Sequence, residues 1–188
     1  MRLPPQPRVI GFDDGPAPHR AGASVPLAGA VCSATRFEGL VWGRVRRDGW
    51  NATDVLCRLL LPGKFLPQLH LVLLDGLAFG GFNVVDLQQL SARVQRPCVA
   101  LMRRAPDLDA VHRALEHLPG AARRRALLAR AGPIHSLGGF VFQVQGASPE
   151  DVARALPRLT DRGHVPEALR LAHLVAGAVV QGESGRRA

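Results

Sequence analysis

Leu69-His70-Leu71-Val72-Leu73-Leu74-Asp75-Gly76 is the stretch on which the reading of this chain turns. All but one of its first six residues are apolar. A continuous apolar run of this length marks a strand covered on both faces. Asp75-Gly76 ends the run, and Gly80-Gly81 then lead into a helix expected over 82–94. Pro97 opens a second run of the same kind, Cys98-Val99-Ala100-Leu101-Met102, which closes in Arg103-Arg104. Strand, helix and strand in that order imply two parallel strands joined by a right-handed crossover.

Working outward, Arg8-Val9-Ile10-Gly11-Phe12-Asp13 is a short strand that stops at Asp14-Gly15-Pro16. Segments 27–37 and 40–47 are β-type, and Glu38-Gly39 between them is the expected turn of an antiparallel pair. A helix is expected over 52–61, capped by Asn51 or Thr53 and ended by Pro62-Gly63. Downstream come helices over 107–118 and 121–131 and a hairpin over 134–145 with Gly138-Gly139 in its turn. Ser148-Pro149-Glu150-Asp151 opens a further helix, and the last helix is expected over 166–180. The sum is an α/β fold: a mixed five-stranded sheet with helices on both faces and a small additional hairpin. That is the strand order of a ribonuclease H-like fold, in which the first and fourth strands are neighbours.

At 188 residues the chain is read as one domain, 1–188, with 1–7 and 182–188 as flexible tails. No stretch reaches the ~20 apolar residues of a membrane span, and the N-terminus lacks an apolar export core. Cys32, Cys57 and Cys98 lie far apart among apolar residues. They read as buried thiols of a reduced, cytoplasmic protein, not as a disulfide framework or a zinc site. The net charge of +9 suits a nucleic-acid partner. However, Lys64 is the only lysine, and an arginine-, alanine- and leucine-rich composition of this kind arises from a GC-rich genome whatever the partner. The oligomeric state is not legible in the sequence.

Ligands of open α/β sheets sit beyond the carboxyl ends of the strands. Asp13 and Asp75 end the first and fourth strands, which lie ~4.8 Å apart when paired. Two such carboxylates repel each other unless a cation lies between them, so the pair is a candidate site for a hard divalent metal, Mg²⁺ or Mn²⁺. Asp14, Asp54 and Glu167 are possible further acids, although Asp54 and Glu167 each also suit a helix N-terminus for purely structural reasons. Trp50 is a candidate for stacking on a base or for packing under a helix start. Arg103 and Arg104 are candidates for phosphate contact. The Gly80-Gly81 region lacks dinucleotide and triphosphate-loop spacing, so no nucleotide cofactor is expected. The histidines show no paired metal motif, and His173 sits about 120° around its helix from Glu167.

Ile10-Gly11-Phe12-Asp13-Asp14-Gly15-Pro16, Asp48-Gly49-Trp50-Asn51-Ala52-Thr53 and Leu74-Asp75-Gly76-Leu77-Ala78-Phe79-Gly80-Gly81-Phe82-Asn83-Val84-Val85-Asp86 carry a resemblance. So do 166–173 and Gly182-Glu183-Ser184. From about Arg8 onward the chain resembles the domain-of-unknown-function family numbered ninety-nine, itself similar to endonuclease V. The resemblance implies a ribonuclease H-like fold and Mg²⁺-dependent strand cleavage. It implies catalytic roles for Asp13 and Asp75, with looser correspondences for Asp54 and Glu167. The relative's tyrosine wedge, base-pocket loop and fifth-strand lysine have no counterpart, and Asn51 stands where the family often has Asp. The resulting expectation is a metal-dependent nuclease or phosphodiesterase acting on DNA or RNA. A non-catalytic nucleic-acid-binding protein of the same fold is the alternative, and an interaction protein with merely compositional charge comes third.

Overall fold

The computed structural model describes residues 3–17 and 19–185; the outermost residues of the two expected tails, 1–2 and 186–188, lie outside the described residues. The chain opens with β1 (Arg8–Asp14), β2 (Ser24–Ser33) and β3 (Arg36–Arg46), then α1 (Ala52–Leu60) and β4 (Leu71–Asp75). A two-stranded ribbon, β5 (Ala78–Phe79) with β6 (Asn83–Val84), precedes α2 (Leu87–Val94) and β7 (Cys98–Met102). The remainder is α3 (Leu108–Glu116), α4 (Ala121–Arg130), β8 (His135–Leu137), β9 (Phe140–Gln145), α5 (Pro149–Ala155) and α6 (Glu167–Gln181). The main sheet runs β3-β2-β1-β4-β7-β9-β8. As expected, β1–β3 form an antiparallel meander, and β4 lies parallel to both β1 and β7.

The sheet has seven strands, not five plus a separate hairpin. β9 pairs antiparallel with β7, and the reason is the burial of β7. Cys98, Val99, Ala100 and Leu101 are all buried, so the peptide groups on the far edge of β7 need a partner. Three smaller expectations also shift. The β2–β3 turn falls at Ala34-Thr35, with Ala34 at φ 53°, because Gly39 lies within β3, where Phe65 covers it. Gly80 and Gly81 both have positive φ and make the turn of the β5–β6 ribbon, so α2 starts only at Leu87, capped by Asp86. Asn51 stands at the start of α1 without capping it.

Alternate residues of β1 serve opposite faces. Ile10 and Phe12 join the core under α1 and α2, while Val9 joins the core under α5 and α6. The three cysteines are buried and free. Among the described residues no helix is long and apolar enough to cross a membrane.

α6 sits unusually close to the sheet because its contact residues are small. Ala168, Ala172 and Ala176, spaced four apart on one face, are fully buried. A Cβ on Gly11 would lie 2.5 Å from the backbone of Ala168, and one on Gly15 would lie 2.5 Å from the carbonyl oxygen of Ala176. Backbone cannot yield as a side-chain tip can. Gly11→Ala is therefore expected to cost about 1–3 kcal/mol by overpacking, read as a lower midpoint in urea denaturation. An unchanged midpoint would mean that α6 is not seated this closely.

Candidate metal centre

The parallel register of β1 and β4 pairs Phe12 with Leu74, which places Asp13 and Asp75 side by side at the carboxyl end of the sheet. The third member of the site comes from α6. From Ala168 to Ala176 the helix advances roughly 12 Å, and from Gly11 to Gly15 the strand advances about 13 Å. Helix and strand therefore run abreast, and Asp13, midway along, comes level with Ala172 and His173. The Nδ1 of His173 lies 2.8 Å from the Oδ2 of Asp13. Asp13, Asp75 and His173 each bring one potential ligand atom to within 4.8 Å of the other two.

Asp13 is 6% exposed, and its Oδ1 accepts the backbone N–H of Asp14 at 2.8 Å. Its carboxyl is pushed up to about 8, first by burial, then by the charges of Asp75 and Asp14, against the opposing Asp14 N–H. A carboxylate held in such surroundings is what a bound cation would relieve. The donor set fits one: two carboxylates suit a hard ion such as Mg²⁺ or Mn²⁺, and a histidine bonded to one of them fixes its orientation. Asp14 turns to the neighbouring ribbon, where its Oδ2 accepts the N–H of Gly80 at 2.8 Å, and burial raises its pKa.

The other expected acids are not part of this group. Asp54 pairs with Arg93 at 2.8 Å on the surface, and Glu167 takes a two-pronged bond from Arg170 at 2.6 and 2.8 Å. Both serve helix starts, the structural role available to them from the outset. Trp50 is 40% exposed, but its ring already carries the guanidinium groups of Arg123 and Arg124, 4.6 and 4.0 Å from its centroid. A base stacking there would share the ring with these two guanidinium groups. Arg103 and Arg104 are exposed, immediately beyond the end of β7, whose Leu101 pairs with Asp75. Beside them opens a largely apolar cavity of about 590 Å³, lined by Leu77, Ala78, Phe82, Met102 and Pro106 among others.

A family model described as Endonuclease dU matches residues 5–180. A UPF0215 protein of Deinococcus radiodurans is 43% identical over 177 residues, covering 94% of this chain and 90% of its own length. A crystal structure of an Archaeoglobus fulgidus protein of unknown function superposes with a TM-score of 0.89 at 31% identity, covering 94% of this chain and 100% of that one. An endonuclease V of Ciona intestinalis, solved with a 24mer DNA containing an inosine followed by a ribo-adenosine, reaches a TM-score of 0.53 at 13% identity. It covers 89% of this chain and 83% of that one, and at that identity it speaks for the fold alone.

The raised pKa of Asp13 sets a pH dependence. A folded-state value above the unfolded one favours the protonated carboxyl, so its contribution to stability is complete below about 3.8 and is lost as pH rises through about 8. Asp13→Asn cannot ionise. In chelator, its melting temperature relative to the wild type should therefore climb between these limits, and Mn²⁺ should raise the melting temperature of the wild type only. A pH-independent difference between the two proteins would contradict this assignment of charge.

Proposed function

The chain belongs to the Endonuclease dU family, and from that membership we propose that it is a divalent-metal-dependent endonuclease that cuts nucleic acid near a deaminated base. The observation that carries the reading is the Asp13–Asp75–His173 cluster at the carboxyl end of a parallel strand pair. Asp13 and Asp75 are the residues that would hold Mg²⁺ or Mn²⁺. Bound there, such a cation supplies Lewis acidity towards a phosphodiester oxygen and makes water more acidic. His173, tied to Asp13 through Nδ1 and with its side chain 36% exposed, orients that carboxylate and leaves its other ring nitrogen to take or give a proton.

Arg103 and Arg104 are suited to phosphates on either side of the cut. The apolar cavity next to them suits a base withdrawn from the stack. Deoxyuridine is the substrate base to try first, since dU stands in the family's description. Inosine follows, since it is in the DNA bound by the endonuclease V relative. The continuous sheet supports a single ribonuclease H-like domain, and the buried free thiols support a reducing, cytosolic setting. A second reading, a binding protein without turnover, is favoured by one observation. With Asp54 and Glu167 held by arginines, the cluster offers only two carboxylates.

Labelled strands containing deoxyuridine, inosine or neither, incubated with Mg²⁺ or Mn²⁺, separate these readings. Cleavage is expected on a base-altered strand, to vanish in chelator, and to fall more than about a hundredfold in Asp75→Asn. That exceeds the 10–100-fold typical of losing an outer partner of a metal site. Arg103→Ala and Arg104→Ala should raise KM more than they lower kcat, and should flatten the salt dependence. Cleavage that persists in chelator would overturn the proposal. Salt-sensitive binding without cleavage would establish the second reading instead.

A further inference from the structure

The two edges of the main sheet differ. β8 is three residues long, a short edge that offers little to a passing strand. β3 at the other end is eleven residues long, about twice the usual strand length, and contains neither proline nor lysine. Its backbone is open at its centre. The carbonyl of Pro26 accepts the N–H of Gly15 beyond β1, so Pro26 faces away from β3. Its partner Arg44 must then point its own peptide groups outward. Alternation extends this to Trp42 and Leu40, opposite Ala28 and Ala30. Arg46, two residues further on, confirms the parity: its N–H reaches outward to the Oδ1 of Asn51 at 3.1 Å. Among the described residues no strand pairs with this edge.

The side chains along the open stretch are not those of a guarded edge. Phe37, Leu40 and Trp42 are 50, 40 and 36% exposed. They fall on the α6 side of the sheet, because the bulge opposite Val31 and Cys32 brings Phe37 back into line with Leu40 and Trp42. The opposite side is closed by Phe65 over Gly39 and Leu59 over Gly43.

We propose that β3 is the docking edge for β3 of a second copy of this chain, the two strands running antiparallel about a two-fold axis through Val41. About this axis Leu40 of each copy lies opposite Trp42 of the other, and these residues exchange the N–H···O bonds that each copy lacks. Arg44 of each copy meets the Glu38 bulge of the other, a cation opposite a carboxylate with the ring of Phe37 beside it. Gly39 and Gly43 face each other on the closed side, where neither brings a side chain of its own between the strands. A shift of the axis to Trp42 would oppose Arg46 to the Glu38 bulge. That register is disfavoured because the peptide of Arg46 is already engaged by Asn51 and Asn83. The register through Val41 engages the open peptides of Leu40 and Trp42 without displacing the partners of Arg46.

The test uses the full chain in sedimentation velocity and in oxidative cross-linking. The wild type is expected at twice the 20.2 kDa chain mass. Trp42→Arg, on an exposed position, should return it to the single mass with an unchanged far-ultraviolet spectrum. Val41→Cys, on the axis, should form a disulfide-linked dimer under mild oxidant, because facing Cβ atoms in such a pair lie about 4.5–5.5 Å apart. Val45→Cys, buried in the core, should not. A single mass for the wild type overturns the proposal. So does a double mass in which Val41→Cys fails to cross-link, whatever Trp42→Arg does.

Discussion

The close approach of α6 to β1 is the constraint on which the site rests. A helix packed on a sheet at ordinary spacing leaves room for side chains between them. Here the strand contributes Gly11 and Gly15 and the helix contributes alanines, so two backbones nearly touch. Because eight helical residues span about the same distance as four strand residues, the contact at one end sets the contact at the other. His173 is thereby brought onto Asp13 without any loop to position it. The carboxylate pair depends in turn on the parallel register of β1 and β4, which is buried on both faces and cannot slip by one residue without turning the core outward.

The segments that look most like motifs are mainly structural. Asp48 to Thr53 and Gly80 to Asp86 are two halves of one clamp. The carboxylate of Asp48 accepts the N–H of Phe82, Asn83 bonds Asn51 and the N–H of Ala52, and Thr53 accepts the N–H of Asp86. Arg124 locks the clamp from α4. Only 1% exposed, it donates to the carbonyls of Phe82, Asp48 and Pro119 and lies on the ring of Trp50. Burial lowers its pKa, a cost offset by three carbonyl acceptors. The charge of this arginine belongs to the fold and adds nothing to a nucleic-acid surface. The clamp also holds the β5–β6 ribbon beside Asp14, so it shapes the ground on which the cavity opens.

These roles explain what could be read in advance. The strand order through β7 and the pairing of Asp13 with Asp75 followed from two apolar runs and the handedness of crossovers, both strong local signals. The attachment of β9 to β7 depended on a tertiary need, closure of a buried edge, that no pattern within 134–145 expresses. Asp54 and Glu167 were legible as helix-start acids, and that role accounts for them. His173 is not legible from its own helix, where it shares no stripe with Glu167, because its partner lies on a strand 160 residues away. The signal that could have found it is the match between Gly11 and Gly15, four apart in and just beyond β1, and alanines four apart on α6. That match predicts a close, parallel crossing with His173 level with Asp13.

Asp13 and Asp75, with His173 beside them, are proposed to hold one cation between them. Anomalous scattering from a crystal soaked in Mn²⁺ tests this most directly. A single peak is predicted between the Asp13 and Asp75 carboxylates, within about 2.1–2.3 Å of an oxygen from each, the range for hard divalent ions. A peak elsewhere, or no peak at a Mn²⁺ concentration that saturates solution binding, would contradict it.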